Sequence, residues 1–429
     1  MKLMNLKGTN DFLPKDQIIR NKIVDILKKN FEKYGYLPIE TPILNYYDLL
    51  AYKYDSDAEI LSEIYKLKDQ GDRNLGLRYD LTVPFCKVIG LNKDLKMPFR
   101  RYEIGRVFRN GPVKLGRTRE FYQCDIDVVG IDNRYIEAEQ ILMAINTYKD
   151  LGIDVLVKYN NRKLMSGLII ESGIPEDKIV STIGVIDKLE KISQEELIEM
   201  LESLDITKDS ITKLLKLFTY QKEEFKEMFK DTTNSLIKEG LDELNELDTY
   251  LESLDILDKC KFTPTLARGL TIYTGVVFEF YDTKLRITGA LGAGGRYNKI
   301  ITDFMNNGNS YPAVGLSFGL EPIYEILKNE YQDESIMDIY LVPLDTNIEC
   351  LKLATELRNN NIKVLIEMNK KKVGKCFEYA EAEKIKFISI IGSNEVTSGL
   401  LKVKNMQTKE ETEVKMVDLP TFLQKHIDK

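Results

Sequence analysis

Residues 101–130 read RYEIGRVFRNGPVKLGRTREFYQCDIDVVG, in which Arg101, Arg106, Arg109, Arg117 and Arg119 fall within nineteen residues, with Lys114 among them. The chain around them is acidic, with a formal charge of −7. Positive charge gathered against that background asks for an anion, and guanidinium suits a phosphate or carboxylate because its planar fork matches two oxygens. The only histidine is His426, near the end of the 429-residue chain. A Ser-His-Asp triad, a Cys-His pair and a histidine-ligated metal are therefore improbable. Any chemistry rests on arginines, carboxylates, amides and backbone groups.

Parity along the stretch sorts its side chains. RYEIGRVF and REFYQCDIDVV are strand-like, and NGPVKLGRT between them carries turn residues, which predicts a long-looped antiparallel hairpin. On the second strand Tyr122, Cys124, Ile126 and Val128 share one face and are expected in the core. Arg119, Gln123 and Asp127 share the other face with Phe121. On the first strand Glu103, Val107 and Arg109 share a face. Upstream, LRYDLTV at 77–83 alternates strictly, so a third strand is expected to offer Arg78, Asp80 and Thr82 as a further polar row. One apolar face and one face of Arg, Gln, Asp and Thr suit a polar ligand that carries both an ammonium and a phosphate.

These strands need a frame. Ile19, Ile23, Leu27 and Phe31 recur at four-residue steps before Gly35, which predicts an amphipathic helix over 16–34 with a glycine stop. Pro38 and Pro42 break the extended segment that follows. From about 160 to 258 the pattern turns helical, with Ser193 and Glu196 spaced as a capping box. Strand-like IYTGVVFEFY returns at 272–281, followed by GALGAGGRYNKI and the helix-like LEPIYEILKN. From 336 onward, MDIYLVPL, KVLIEM and FISIIG read as buried strands, and NIECLKLATELRNN and KKVGKCFEYAEAEK as the helices between them. That predicts a small α/β unit with a parallel core. Lys370, Lys371, Lys372 and Lys375 open the second of those helices. Cations are unfavourable at a helix N-terminus, so the run hints at an outside anion, most simply RNA phosphate.

Length predicts two or three domains. No apolar run approaches a membrane span, and the N-terminal stretch carries no apolar segment of a secretory signal. Five scattered cysteines without a CxxC pair read as reduced thiols of a cytoplasmic protein.

In this order the motifs resemble the class II aminoacyl-tRNA synthetases, specifically the histidyl-tRNA synthetase family. GTNDFLP is similar to the family's N-terminal signature, Pro42 stands at the dimer-interface proline of motif 1, and RVFR…GRTREF matches motif 2. LARGLTIYTGVVFEF and GAGGRYNKI resemble the two histidine-specific signatures, and the C-terminal unit resembles the anticodon-binding domain. The resemblance implies an α+β fold: an antiparallel class II sheet core flanked by helices, with a helical insertion and a C-terminal α/β domain. Its domains would be 1–158 with motifs 1 and 2, 159–258 as the insertion, 259–330 with the signatures and motif 3, and 336–429 for the anticodon.

The implied activity is ligation of L-histidine to its tRNA through a histidyl-adenylate, with ATP as substrate, Mg²⁺ accompanying the ATP, no dedicated protein metal site, and a homodimeric assembly. Asp80, Thr82 and Gln123 would hold the substrate α-amino group, and Asp127 and Tyr273 the imidazole. Arg109 would bridge the substrate carboxylate and the ATP α-phosphate, and Arg268 would stabilise that phosphate during attack. Arg117 would meet the ATP tail, Arg119 would meet nucleotide or support the site, and Tyr297 would wall the pocket.

The chain departs from the family pattern at Thr271 and Ile272, where the signature commonly carries an acid and a tyrosine. It departs again at Pro322, which stands where motif 3 has the arginine that clamps the γ-phosphate. The alternative is a catalytically silent paralogue, a histidine-sensing regulatory subunit of ATP phosphoribosyltransferase. Such a subunit is expected to lack the anticodon domain and Arg268, and both are present here. A nonspecific RNA-binding module is disfavoured by net acidity.

Overall fold

The computed structural model describes residues 2–52, 59–113, 116–189, 192–267, 272–330, 335–369 and 371–427. The chain divides into two compact units, 1–327 and 328–429. Among the described residues no helix is long and apolar enough to cross a membrane.

The first unit is built on an eight-stranded sheet. In chain order its strands are β1 (Leu37–Pro38), β2 (Phe99–Phe108), β3 (Glu120–Val129), β4 (Val155–Asn161), β5 (Cys260–Phe262), β6 (Val276–Asp282), β7 (Gly292–Arg296) and β8 (Ala313–Gly319). In space they run β1-β2-β3-β8-β7-β6-β4-β5. The six inner strands are antiparallel, and only the short edge strands β1 and β5 pair parallel. The predicted hairpin is β2–β3, in register from Phe99 opposite Val129 to Phe108 opposite Glu120. The β4 and β5 strands were not legible as such, and the helical stretch starts only at Arg162.

Parity holds on the rear face. Cys124, Ile126 and Val128 are at most 1 % exposed. The helix Pro14–Lys33 packs on this face through Phe31, whose ring lies 5.6 Å from Tyr102 of β2 and 5.5 Å from Phe318 of β8. Its buried positions include Ile19, Ile23, Leu27 and Phe31, the four the spacing selects. Each such side chain contributes roughly 1.5–3 kcal/mol on burial. Pro14 starts the helix where an amide hydrogen is not needed, and Gly35, at φ +76°, turns the chain out of it. The helix Tyr135–Asp150 covers the rest of the rear face, with Tyr148 between Phe280 and Phe318. The front face is left for other groups.

The segment 77–83 is not a strand. A short strand, Asn74–Leu77, ends there, and a helix runs from Thr82 to Leu91. The strict alternation came from a tight bend whose apolar residues are all drawn inward: Tyr79, Leu81 and Val83 are at most 8 % exposed. Asp80 ties the bend by accepting the Val83 N–H at 3.0 Å. Arg78 therefore does not belong to a ligand-facing row. It is 3 % exposed, donates to the carbonyls of Arg106 and Thr41, and pairs with Glu103 at 2.9 Å. Glu103, 1 % exposed, is spent on this internal network.

Among the described residues of 162–253 there are six α-helices, with their own apolar core, which includes Met165, Ile183, Leu197, Leu201 and Leu214. The Ser193–Glu196 capping box is present, with reciprocal bonds of 3.2 and 3.0 Å. Glu243 of the last helix anchors the group to the sheet by accepting from Asn161 at 2.6 Å and pairing with Arg134 at 2.9 Å.

The second unit holds a five-stranded sheet. Val364–Ile366, Ile339–Pro343 and Phe387–Ile391 are parallel, as their sequences predict. Leu400–Asn405 and Glu411–Lys415 then extend the sheet antiparallel. Sequence analysis did not mark this edge, where charged residues flank the buried Leu401, Val403 and Val414. The charges prove complementary across the strands, with Lys402 opposite Glu413 and Lys404 opposite Glu411. In the lysine run, Lys371 pairs with Glu367 at 3.3 Å and Lys375 with Glu378 at 2.5 Å. These two cations thus have internal partners, which weakens their case for an outside anion. Lys370 lies outside the described residues.

Candidate active site

The front face of the sheet floors a cavity of ≈ 330 Å³. Strand β3 contributes Gln123, Asp125 and Asp127, and neighbouring β8 supplies Gly315 and Ser317. The bend before the helix Thr82–Leu91 brings Asp80 and Thr82. Arg109 stands just past the end of β2, Tyr273 precedes β6, and Tyr297 follows β7. Seven of the residues expected from the sequence therefore line one small space: Asp80, Thr82, Arg109, Gln123, Asp127, Tyr273 and Tyr297. Asp80 and Thr82 arrive from a bend and a helix start, not from a strand row.

Arg109 is held as a plane. Its guanidinium lies over the rings of Tyr79, at 4.2 Å, and Phe121, at 4.9 Å. Its Nε donates to the Tyr79 carbonyl at 3.3 Å, and its backbone N–H to the Arg119 carbonyl at 2.9 Å. Arg117 and Arg119 do not line the cavity. The Arg117 side chain is half exposed and pairs with Glu63 at 3.3 Å. Arg119 donates from Nε to the Gly111 carbonyl at 3.5 Å, and its backbone N–H to Gly8 at 2.7 Å. Arg268 and Thr271 lie outside the described residues.

The ring-side end is unusually charged for its burial. Asp127, 3 % exposed, accepts the Tyr297 hydroxyl on Oδ1 and pairs through Oδ2 with Arg101 at 2.5 Å. Arg101 is fully buried, with its guanidinium over the Phe85 ring at 4.4 Å. Thus one member of the opening arginine cluster lies beside Asp127 on the same face of the sheet, covered by Phe85, as a buried counter-charge. Burial pushes the Asp125 carboxyl up to about 7, against the opposing charge of Arg101 and with Asp127 adding to the rise. Asp127 is pushed up to about 6 by burial, again opposed by Arg101. Arg296, the arginine of GGRY, is buried and structural. It grips Glu137 at 2.7 and 2.8 Å, while the next residue, Tyr297, faces the cavity.

Sequence reasoning missed Asp125, Ser317 and Asp187. Asp125 had a signal, since it sits midway between Gln123 and Asp127 on the same face. Asp187 had none. It follows the helix Ile179–Ile186 of the helical segment and reaches the cavity only through tertiary packing.

Gly315 is required by close approach. A Cβ there would sit 2.1 Å from Asp127 Oδ1 and 3.0 Å from Tyr297 Cε1. Gly315→Ala is expected to push these two side chains off their present positions. The amino-acid KM should rise about tenfold or more while the protein still folds, because a polar site loosened by about 1 Å no longer satisfies its groups. Unchanged KM values for both the amino acid and ATP would show that the carboxylate and tyrosine do not depend on this glycine.

An antiparallel sheet with helices on one face and an arginine-edged polar cavity on the other is the catalytic core of a class II aminoacyl-tRNA synthetase. Residues 8–323 match the family described as histidyl-tRNA synthetase, and 338–426 match the anticodon binding domain. A curated relative, histidine--tRNA ligase 1 of Bacillus cereus, is 41% identical over 428 residues, covering 99% of this chain and 100% of that one. The crystal structure of histidyl-tRNA synthetase from Nostoc superposes with a TM-score of 0.85 at 27% identity, covering 99% of this chain and 100% of that chain. A structure titled as an ATP phosphoribosyltransferase regulatory subunit/histidyl-tRNA synthetase, from Bacillus halodurans, reaches 0.76 at 22% identity, covering 92% of this chain and 99% of that one; this is a likeness in fold alone. The chain belongs to the histidyl-tRNA synthetase family.

Proposed function

We infer that the protein ligates L-histidine to its tRNA, activating the amino acid with ATP and then passing it to the terminal adenosine. One observation carries the reading: a cavity of amino-acid size unites carboxylates and amide groups with a planar, stacked arginine at its edge. Adenylate formation is an in-line attack of a carboxylate on the α-phosphorus, with pyrophosphate leaving. The nucleophile is already ionised, so no general base is needed, and positioning with charge compensation does the work.

In this scheme Asp80, Thr82 and Gln123 receive the α-ammonium, and Asp127 and Tyr273 the ring. Tyr297 supports Asp127. Arg109 bridges the substrate carboxylate and the α-phosphate, joined there by Arg268. Arg117, at the loop edge, meets the ATP tail, and Arg119 braces the loop. Pro322 lies in the first turn of the helix Leu320–Leu327, where proline is tolerated and where no guanidinium can serve the γ-phosphate. Mg²⁺ would enter bound to the ATP phosphates, as Mg²⁺ commonly does. Homodimer formation through the Pro42 region and a cytoplasmic location complete the proposal.

The regulatory-subunit alternative has less support, because the matched anticodon binding domain and the ordered Arg109 have no use in a histidine sensor. The deciding assay is histidine-dependent exchange of pyrophosphate into ATP by the purified protein, followed by charging of tRNA. Exchange driven by histidine and by no other amino acid is expected; histidine binding without exchange would favour the sensor.

A further inference from the structure

Asp125 is 5 % exposed and lines the cavity between Gln123 and Asp127. Ser317 stands directly opposite Asp125 on β8, yet the buried Asp125 Oδ1 has no hydrogen-bond partner among the described residues. A buried carboxylate oxygen left without a donor is costly. Asp127 is better served, since Tyr297 donates to its Oδ1 and Arg101 pairs ionically with its Oδ2, but that Oδ2 likewise has no hydrogen bond among the described residues.

We propose that Asp125 is a substrate-contacting specificity residue, whose Oδ1 accepts an N–H from the ring of bound histidine, so that with Asp127 it holds the ring as imidazolium. The inference rests on the reading that this cavity takes histidine. A neutral imidazole has one N–H and could serve only one of the two carboxylates. The doubly protonated ring has two, and satisfies both.

Spacing supports the assignment. Strand rise of about 3.3 Å per residue puts Gln123 and Asp127 roughly 13 Å apart along β3, and Asp125 roughly 7 Å from either. A histidine whose amine meets Gln123 is shorter than the full span, so its ring comes level with Asp125 and only the far edge faces Asp127. Charge supports it as well. Asp80, Asp125, Asp127 and Asp187 surround the space; Glu103, opposite Asp125 in the β2 register, is already paired with Arg78 at 2.9 Å and does not add to the balance. Against these stand Arg101 beside Asp127, Arg162 near Asp187, and Arg109 at the edge, the last assigned to the substrate carboxylate. One ammonium leaves this balance negative, whereas an ammonium with an imidazolium brings it closer to neutral.

The ring of free histidine titrates near 6.5, so at pH 8 it is neutral. Asp125, pushed up to about 7 by burial, is then mostly ionised. Binding as imidazolium must therefore take a proton from solution. Calorimetry of histidine binding at pH 8, in two buffers of different ionisation enthalpy, should read an uptake near one proton per histidine for the full-length protein. Asp125→Asn should lose most of that uptake and bind histidine on the order of 10²-fold more weakly, as expected when a charge-assisted bond is removed, with ATP affinity within about twofold. Asp125→Ser serves as a second variant should the amide disturb the floor. The wild-type protein should also bind 1,2,4-triazolylalanine, whose ring does not protonate near neutrality, on the order of 10²-fold more weakly than histidine by the same rule. Histidine binding without proton uptake, equal binding of the triazole, or a folded Asp125 variant with unaltered affinity would each overturn the role of Asp125 while leaving histidine as the ligand. Failure of the wild-type protein to bind histidine at all would remove the functional reading and this inference with it.

Discussion

Arg109→Ala is expected to lose adenylate formation by roughly 10²- to 10³-fold, the usual result of removing one preorganised donor at developing charge. The present geometry gives the reason. The guanidinium is fixed between the rings of Tyr79 and Phe121 and by the Tyr79 carbonyl, so its orientation is set before substrate arrives. Negative charge gathers on the α-phosphoryl oxygens only as the carboxylate attacks, and a donor held in place need not reorganise to meet it. Arg109→Lys should recover little. An ammonium is a point charge that cannot present a two-pronged edge or lie flat between two rings. The measurement is histidine-dependent pyrophosphate exchange, with histidine and ATP binding followed separately by calorimetry. Exchange should fall far more than either affinity. A folded Arg109→Ala protein exchanging pyrophosphate at near wild-type rate would take this residue out of the mechanism.

Ending the chain at Leu327 is expected to leave histidine activation within a few-fold of the full-length rate and to cut tRNA charging by roughly 10²-fold or more. The first unit is compact by itself and contains every described residue of the cavity. Activation needs only that sheet and its arginines. Charging must also hold an RNA long enough for its terminal hydroxyl to reach the adenylate, and 338–426 match an anticodon binding domain. Losing about 3 kcal/mol of RNA contact is already a 10²-fold loss. Pyrophosphate exchange and charging on the same preparation separate the two effects. Efficient charging by the truncated protein would refute the division of labour. Because Lys371 and Lys375 already have carboxylate partners, replacing them alone should change the salt dependence of tRNA binding less than one unit of log–log slope per lysine.

Much of this molecule was legible in local pattern. The two-residue period of 120–129 sorted core from ligand face, and the four-residue steps of Ile19, Ile23, Leu27 and Phe31 marked a helix face. These readings hold because a strand or helix imposes its period on whatever side is buried. The motif order also carried the family, since RVFR…GRTREF, YTGVVFEF and GAGGRY each demand particular residues at particular distances.

Period alone misled where burial came from another geometry. Tyr79, Leu81 and Val83 alternate because a bend tucks them inward, and the Asp80 carboxylate that ties the bend is invisible to a test for alternation. Charge was equally ambiguous. Of the opening arginines, Arg101 went to Asp127 beside the cavity, Arg109 to the edge, Arg117 to Glu63 and Arg119 to the loop backbone. Sequence by itself left arginines and carboxylates as the candidates for chemistry and put Gln123 and Asp127 on one strand face. Tertiary structure alone decided which of them line one cavity, because that depends on which strands become neighbours. Gly315 beside Asp127 and the arrival of Asp187 from the helical segment follow from pairings and packing between residues far apart in the chain, which no local spacing encodes.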